Sequence, residues 1–240
     1  MIRTLLLCGL LAAPFSAAQA QTTTNATTPG PATTVAPVEP EPVLIAGCED
    51  FGDQCSEGSG RASALTGSGA YIDQIGSSNR ATISQRRGSN RTFAAVSQLG
   101  DDNVALISQD SASAYAAIAQ AGDENSATVT QSGSANNTAL ISQRGDGNQA
   151  DVAQTSGFIG HVAAIQQTGY RNSISLNQGG EDNSAILTQD GDDNSMSVSQ
   201  TSSGNALTWA QAGSNLGGSV TMDGESRALT IMQSNMYSPR

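Results

Sequence analysis

Glutamine recurs along most of this chain at a spacing that limits the chemistry it can do. It stands at Gln74, Gln85, Gln98, Gln109, Gln120, Gln131, Gln143, Gln154, Gln167, Gln178, Gln189, Gln200, Gln211 and Gln233, every 11 residues with insertions of one or two, and Met222 fills the one missing position. Six residues before these positions the residue is Asn in nine units of fifteen: Asn79, Asn103, Asn125, Asn137, Asn148, Asn172, Asn183, Asn194 and Asn205. A primary amide neither titrates near neutral pH nor attacks a substrate; it donates two hydrogen bonds and accepts on its oxygen. Buried singly it is costly. Repeated at strand spacing, each amide can bond the one above and the one below, as in cross-β zippers. The expected role of both rows is therefore an interior amide ladder.

Other residues with chemical potential are few. The single histidine, His161, falls in the Asn row and is expected to be a substituted ladder position. No nucleophile, base and orienting group come together, and every connection between repeats is too short to build a pocket, so the chain is not expected to be an enzyme or to need a cofactor. Turns such as Gly100-Asp101-Asp102-Asn103, Gly122-Asp123-Glu124-Asn125 and Gly191-Asp192-Asp193-Asn194 supply oxygen ligands. They are similar to calcium-binding nonapeptide repeats, which keeps a calcium-binding secreted β-roll, or another surface-binding solenoid adhesin, as the alternative reading. The period of 11 and the erratic Asp positions favour solvated acidic turns. Cys48 and Cys55 lie close together in what reads as an exported chain, where a local disulfide is expected. Two cysteines without a nearby histidine do not make a metal site.

The elements that position the amides follow from the residues between them. Two before each Gln position the residue is apolar every time, from Ile72 and Ile83 to Val220 and Ile231, and four before it is Ala through the first nine units. Asn-x-Ala-x-Ile-x-Gln has period two, which is a β-strand with one face inward. The outward residues are mostly Ser, Thr, Arg or Asp. Gly occupies the second connecting residue after every odd-numbered strand, at Gly76, Gly100, Gly122, Gly145, Gly169, Gly191 and Gly213, but after only three of seven even ones. The unit is thus strand, glycine turn, strand, looser turn. The expected fold is all-β: a two-sided parallel β-solenoid of about seven 22-residue rungs, roughly 35 Å tall at about 4.8 Å per rung. No capping helix is legible beside the repeat, so the ends are expected to be open and to add further rungs end to end.

The repeat occupies residues 68–235. Met1–Ala20 reads as a secretory signal peptide, with Arg3, the apolar stretch Leu5–Ala13 and Ala18-Gln19-Ala20 as cleavage site. Residues 21–47 are Thr- and Pro-rich and expected to be disordered, 48–67 form a Cys-containing, Gly/Ser-rich linker, and 236–240 are a tail. Beyond residue 20 there are nine Arg, 21 acidic residues and no Lys, a formal charge of −12. That excludes nucleic acid as an expected partner, and no segment is long and apolar enough for membrane insertion.

The unit Gln74-Ile75-Gly76-Ser77-Ser78-Asn79-Arg80-Ala81-Thr82-Ile83-Ser84-Gln85 resembles the curlin repeat. It recurs at Gln120–Gln131 and Gln143–Gln154, and with Ala replaced or retained at Gln167–Gln178 and Gln189–Gln200, so that the resemblance covers about 165 residues. The resemblance implies a bacterial curli subunit: secreted, exported through a dedicated outer-membrane pore, and polymerised on a nucleator subunit into a homopolymeric extracellular amyloid fibre. Such fibres serve adhesion and biofilm matrix. The sequence departs from the family pattern at Ile174, Met196, Leu207, Gly218 and Leu229 in the Ala row, at His161, Trp209 and Met222, and in its long N-terminal segment.

Overall fold

A computed structural model describes residues 68–86 and 91–235. All lie in the second of the two units into which the chain divides, Ser63–Arg240; the first, Met1–Ala62, falls outside the described residues. So do the signal peptide, the Thr/Pro-rich segment, the Cys48–Cys55 pair and the tail.

The period-two pattern folds as it reads. Among the described residues there is no helix, and thirteen strands follow one another: β1 Gly69–Ile75, β2 Arg80–Gln85, β3 Arg91–Leu99, β4 Val104–Ala121, β5 Ser126–Arg144, β6 Gln149–Ser156, β7 Val162–Thr168, β8 Ser173–Gln178, β9 Ser184–Asp190, β10 Ser195–Gln200, β11 Ala206–Ala212, β12 Gly217–Met222 and β13 Ala228–Ser234. Every pairing is parallel. One wall is built from β1, β3, the second halves of β4 and β5, then β7, β9, β11 and β13; the other from β2, the first halves of β4 and β5, then β6, β8, β10 and β12. The register is the sequence repeat itself: Gln98 pairs with Gln120, Gln189 with Gln211 and Gln211 with Gln233. The chain is a parallel β-solenoid of about seven turns.

The sequence pattern marks fifteen strands, and thirteen are seen because β4 and β5 each serve both walls. Their backbones round the looser corner without leaving the extended conformation, and the corner residues themselves pair, Asp110 with Ser132 and Ser111 with Gly133, before the register shifts between Ser111 and Ser113.

The core is a narrow slot between the walls. Val96, Ile118, Ile141, Ile165, Leu187 and Trp209 face Ile107, Val129, Val152, Leu176 and Val198, with the Ala row beside them. Each large side chain contributes about 1.5–3 kcal/mol by leaving water. The alanines allow close approach of the walls over the first rungs. Toward the C-terminus the row changes to Ile174, Met196 and Leu207, which are also buried. The largest side chain in the slot, Trp209, is matched by the smallest. A Cβ on Gly218 would stand 2.8 Å from two atoms of the indole ring, so Gly218 leaves the volume that Trp209 fills.

Candidate functional site

Parallel pairing in register places each inward Gln about one strand spacing from the next. On the first wall the side-chain amide of Gln74 donates to Gln98 Oε1 at 2.5 Å, Gln98 to Gln120 at 2.8 Å, Gln120 to Gln143 at 2.8 Å, Gln143 to Gln167 at 2.9 Å, Gln167 to Gln189 at 2.9 Å, Gln189 to Gln211 at 2.9 Å and Gln211 to Gln233 at 2.8 Å. On the second wall Gln85, Gln109, Gln131, Gln154, Gln178 and Gln200 form the same row at 2.8–3.0 Å. It ends at Met222, whose Sδ lies 3.6 Å from Gln200 Nε2. A thioether is a weak acceptor, so this last bond is the poorest of the row.

From Gln85 to Gln211 the second N–H of each Gln is also used. It crosses the slot to a backbone carbonyl of the opposite wall: Gln120 to Val104, Gln143 to Ser126, Gln131 to Tyr115 and Gln178 to Val162, at 3.0–3.1 Å. Each of these glutamines thus ties its own rung to the next and one wall to the other. Period and spacing do not announce this cross-tie, because the acceptor is backbone and could belong to any residue.

The asparagines at the glycine corners run in the opposite sense. Asn103, Asn125, Asn148 and Asn172 each donate from backbone and side chain to Oδ1 of the preceding Asn at 3.0–3.1 Å. Asn194 donates through its backbone to Asn172 Oδ1 at 3.1 Å. Their remaining amide hydrogens reach forward to the next corner's glycine carbonyl, from Asn79 to Gly100 at 2.6 Å through Asn194 to Gly213 at 2.7 Å. Gly100, Gly122, Gly145, Gly169, Gly191 and Gly213 therefore form a stacked row of acceptors beside the Asn row, and Gly76 begins the same stack without an Asn bond among the described residues. The corner aspartates have a role as well. Oδ1 of Asp101, Asp123, Asp146 and Asp192 each accepts a backbone N–H of the preceding corner at 2.6–2.9 Å.

On the other edge the row is Asn137, His161, Asn183, Asn205. Thr92 and Ala114 hold the two earlier positions; both are buried. Thr92 is a fully buried polar residue that the Asn pattern does not flag. His161, also fully buried, continues the row by a different atom. Its Nδ1 receives Asn183 N–H at 3.2 Å, and its Nε2 lies 3.0 Å from Thr155 O. A backbone N–H can only donate and a carbonyl only accept, so the ring is the neutral tautomer with its proton on Nε2. Burial holds its pKa below the ordinary 6.5, against the carbonyl of Thr155 and the charges of Asp182 and Glu181, which favour the cation. A group depressed in the folded state contributes fully above its unfolded value and less as pH falls through the window down to its folded value. Between about pH 6.5 and that lower value, stability should fall by up to about 1.4 kcal/mol per pH unit. Denaturant midpoints of the parent and His161→Asn between pH 7 and 5 check this: the parent should lose stability in that window and the variant should not.

Among the described residues the rows are bounded by the outermost strands of each wall. β1 and β2 end the walls on one side, β12 and β13 on the other. Among the described residues, Oε1 of Gln74 and Gln85 receives no hydrogen bond, while Gln233 accepts from Gln211 and from Trp209 Nε1 but donates to nothing. The two ends thus present amide donors on one side and amide oxygens on the other.

No curated protein and no solved structure matches this chain. The family model of the curlin associated repeat matches residues 169–201. That stretch runs from the Gly169 corner through β8, β9 and β10, and contains Asn172, Gln178, Asn183, Gln189, Asn194 and Gln200 of the amide rows. The chain carries a curlin-family repeat.

Proposed function

We propose that this protein is the structural subunit of an extracellular curli-type fibre and that it polymerises by stacking the end rung of one copy on the end rung of the next. The observation that carries the reading is the directionality of the glutamine rows. All their donors point toward β12 and β13, so that end offers an unspent N–H at Gln233, while the β1–β2 end offers unspent oxygens at Gln74 and Gln85. The two ends of one molecule complement each other, and stacking would bring the outer edges of β1 and β2 onto those of β12 and β13. The function is mechanical: adhesion and biofilm matrix, with no catalysis. Export by the N-terminal leader, passage through an outer-membrane pore and growth from a nucleator subunit are the route that the curlin resemblance brings with it.

The test is incubation of the purified chain lacking residues 1–20, followed by thioflavin T fluorescence and electron microscopy. Unbranched fibres that seed fresh monomer are expected. A chain that stays monomeric, or forms only amorphous aggregate, across pH 4–8 and a range of salt would overturn the proposal.

A further inference from the structure

The two walls are of unequal height. Among the described residues the first wall has eight strand levels and the second has seven, because β13 closes the first wall one step beyond β12. A fifteenth strand segment therefore leaves one open place, on top of β12 and beside β13. The next strand along the solenoid path belongs on β12. If a second copy stacked with its walls matched like to like, its β1 would lie on β13. Its β2 would then stand a full strand width, about 4.8 Å, clear of β12. That arrangement would bury the edge of β12 against a gap with nothing to bond.

We infer that successive copies in the fibre alternate faces. Each copy is turned by half a revolution about the fibre axis, so that its β1 pairs with β12 and its β2 with β13 of the copy before. The inference rests on the fibre reading and fixes the joint within it. A half turn about the axis exchanges the walls and keeps every strand parallel to its new neighbour, so the solenoid path continues through the joint.

Three features of the ends fit this joint. Both walls present the same inward pattern, so the exchange brings like onto like. Ala70, Ile72 and Gln74 of β1 meet Gly218, Val220 and Met222 of β12, and Ala81, Ile83 and Gln85 of β2 meet Leu229, Ile231 and Gln233 of β13. The free N–H of Gln233 then faces the free oxygen of Gln85, and the row of that wall crosses the joint unbroken; on the other wall the row stops at Met222. The corners match as well. The β1–β2 corner of an incoming copy would sit on the β12–β13 corner, and both have four residues between the Gln-position residue and the Asn-position residue, Ile75–Ser78 and Asp223–Ser226. In both the fourth is left-handed, Ser78 at φ 59° and Ser226 at φ 52°. Two earlier corners of that edge differ, since β4 and β5 run through them as continuous strand, whereas the β8–β9 and β10–β11 corners already have four residues with a left-handed fourth, Asp182 and Gly204. The second residue of both corners at the joint is glycine, Gly76 and Gly224, and of the two only Gly76 has a positive φ.

Cysteine pairs distinguish the two joints. With Gln74 on Met222, the outward neighbours Asp73 and Thr221 become adjacent; with Gln74 on Gln233, Asp73 and Met232 do. Within one copy these positions are at opposite ends, so any disulfide joins two copies. In a Cys48→Ser/Cys55→Ser background, fibres of Asp73→Cys/Thr221→Cys should oxidise to a ladder of covalent oligomers, at least tenfold more than fibres of Asp73→Cys/Met232→Cys. Fibres in which the second pair links as well or better, or in which neither links, overturn the inference and leave the fibre reading standing. Absence of any fibre from the parent chain defeats both. Should a variant fail to assemble, helical reconstruction of parent fibres decides. Consecutive copies related by about half a revolution support the inference, and copies related by translation with only a small twist overturn it.

Discussion

Gly122→Ala should fail to form the solenoid, while Gly147→Ala, one corner further on, should fold with only a modest loss. Gly122 has φ +118°, a region that residues with a Cβ avoid, and a Cβ there would lie 2.3 Å from the carbonyl oxygen of Gly145 in the next corner. The obstruction is backbone, already held by Asn125 Nδ2 at 2.6 Å, and cannot swing aside. Relief would require the two corners to separate, breaking Gly145 N–H to Ala121 O and Gly147 N–H to Asp123 O, both 2.9 Å, along with the adjoining amide rows. Backbone strain alone costs about 1–3 kcal/mol, and two or more lost corner bonds bring the total to about 4 kcal/mol or above, much of what holds a domain of this size. Gly147 is also left-handed, but at φ +66°, and the nearest atom to an added Cβ is Arg171 Cγ at 3.5 Å. That substitution should cost about 1–2 kcal/mol. Urea midpoints of the two variants beside the parent provide the measurement; equal losses would mean that the glycine row is not held by rung-to-rung contact.

Gln143→Glu should be the most damaging isosteric change in the interior at neutral pH, and acid should rescue it. Gln143 is 1% exposed and donates to Gln167 Oε1 at 2.9 Å and to Ser126 O at 3.0 Å while accepting from Gln120 at 2.8 Å. A carboxylate keeps the last bond and turns the first two into oxygen against oxygen. The buried, partly unpaired charge should cost about 3–5 kcal/mol. Burial and the two facing oxygens raise the folded-state pKa of the new carboxyl. A raised pKa gives stability that is present below the unfolded value, about 4.3, and is lost as pH rises through the folded value. The variant should therefore strengthen on acidification, opposite in sign to the effect of His161 in the parent. Because a protonated carboxyl can donate only once, recovery should be incomplete. Denaturant midpoints at pH 4 and pH 7 test this, and a variant as stable as the parent at pH 7 would mean that position 143 is open to water.

How far the fold can be read from the sequence depends on which groups carry identity. The apolar slot, the strand period and the 22-residue rung are written in side chains repeated at fixed positions, Ile83 and Ile107 or Gln85 and Gln109, and parallel stacking follows once like must lie on like. What is not legible is carried by backbone. The second N–H of Gln143 goes to a carbonyl, which no residue type marks. The left-handed position of the glycine corners is filled by Ser78, Asp102, Glu124, Arg171, Asp193 and Asn215, which share a conformation but not a chemistry. Continuity through the looser corners, which merges four expected strands into β4 and β5, depends on pairing between Asp110 and Ser132 that their types do not announce. Trp209 looks like a break in the Ile row until Gly218 is placed across from it.

The most direct test of the central claim is the mass per unit length of the fibres, measured by scanning transmission electron microscopy. Fifteen strand segments shared between two walls give each copy about 36 Å of axis at roughly 4.8 Å per rung. The account predicts one chain per about 36 Å, or a small whole multiple of that where filaments run side by side. A value of one chain per about 4.8 Å would mean that the chains refold and stack flat in register, each contributing a single layer, and would contradict the account.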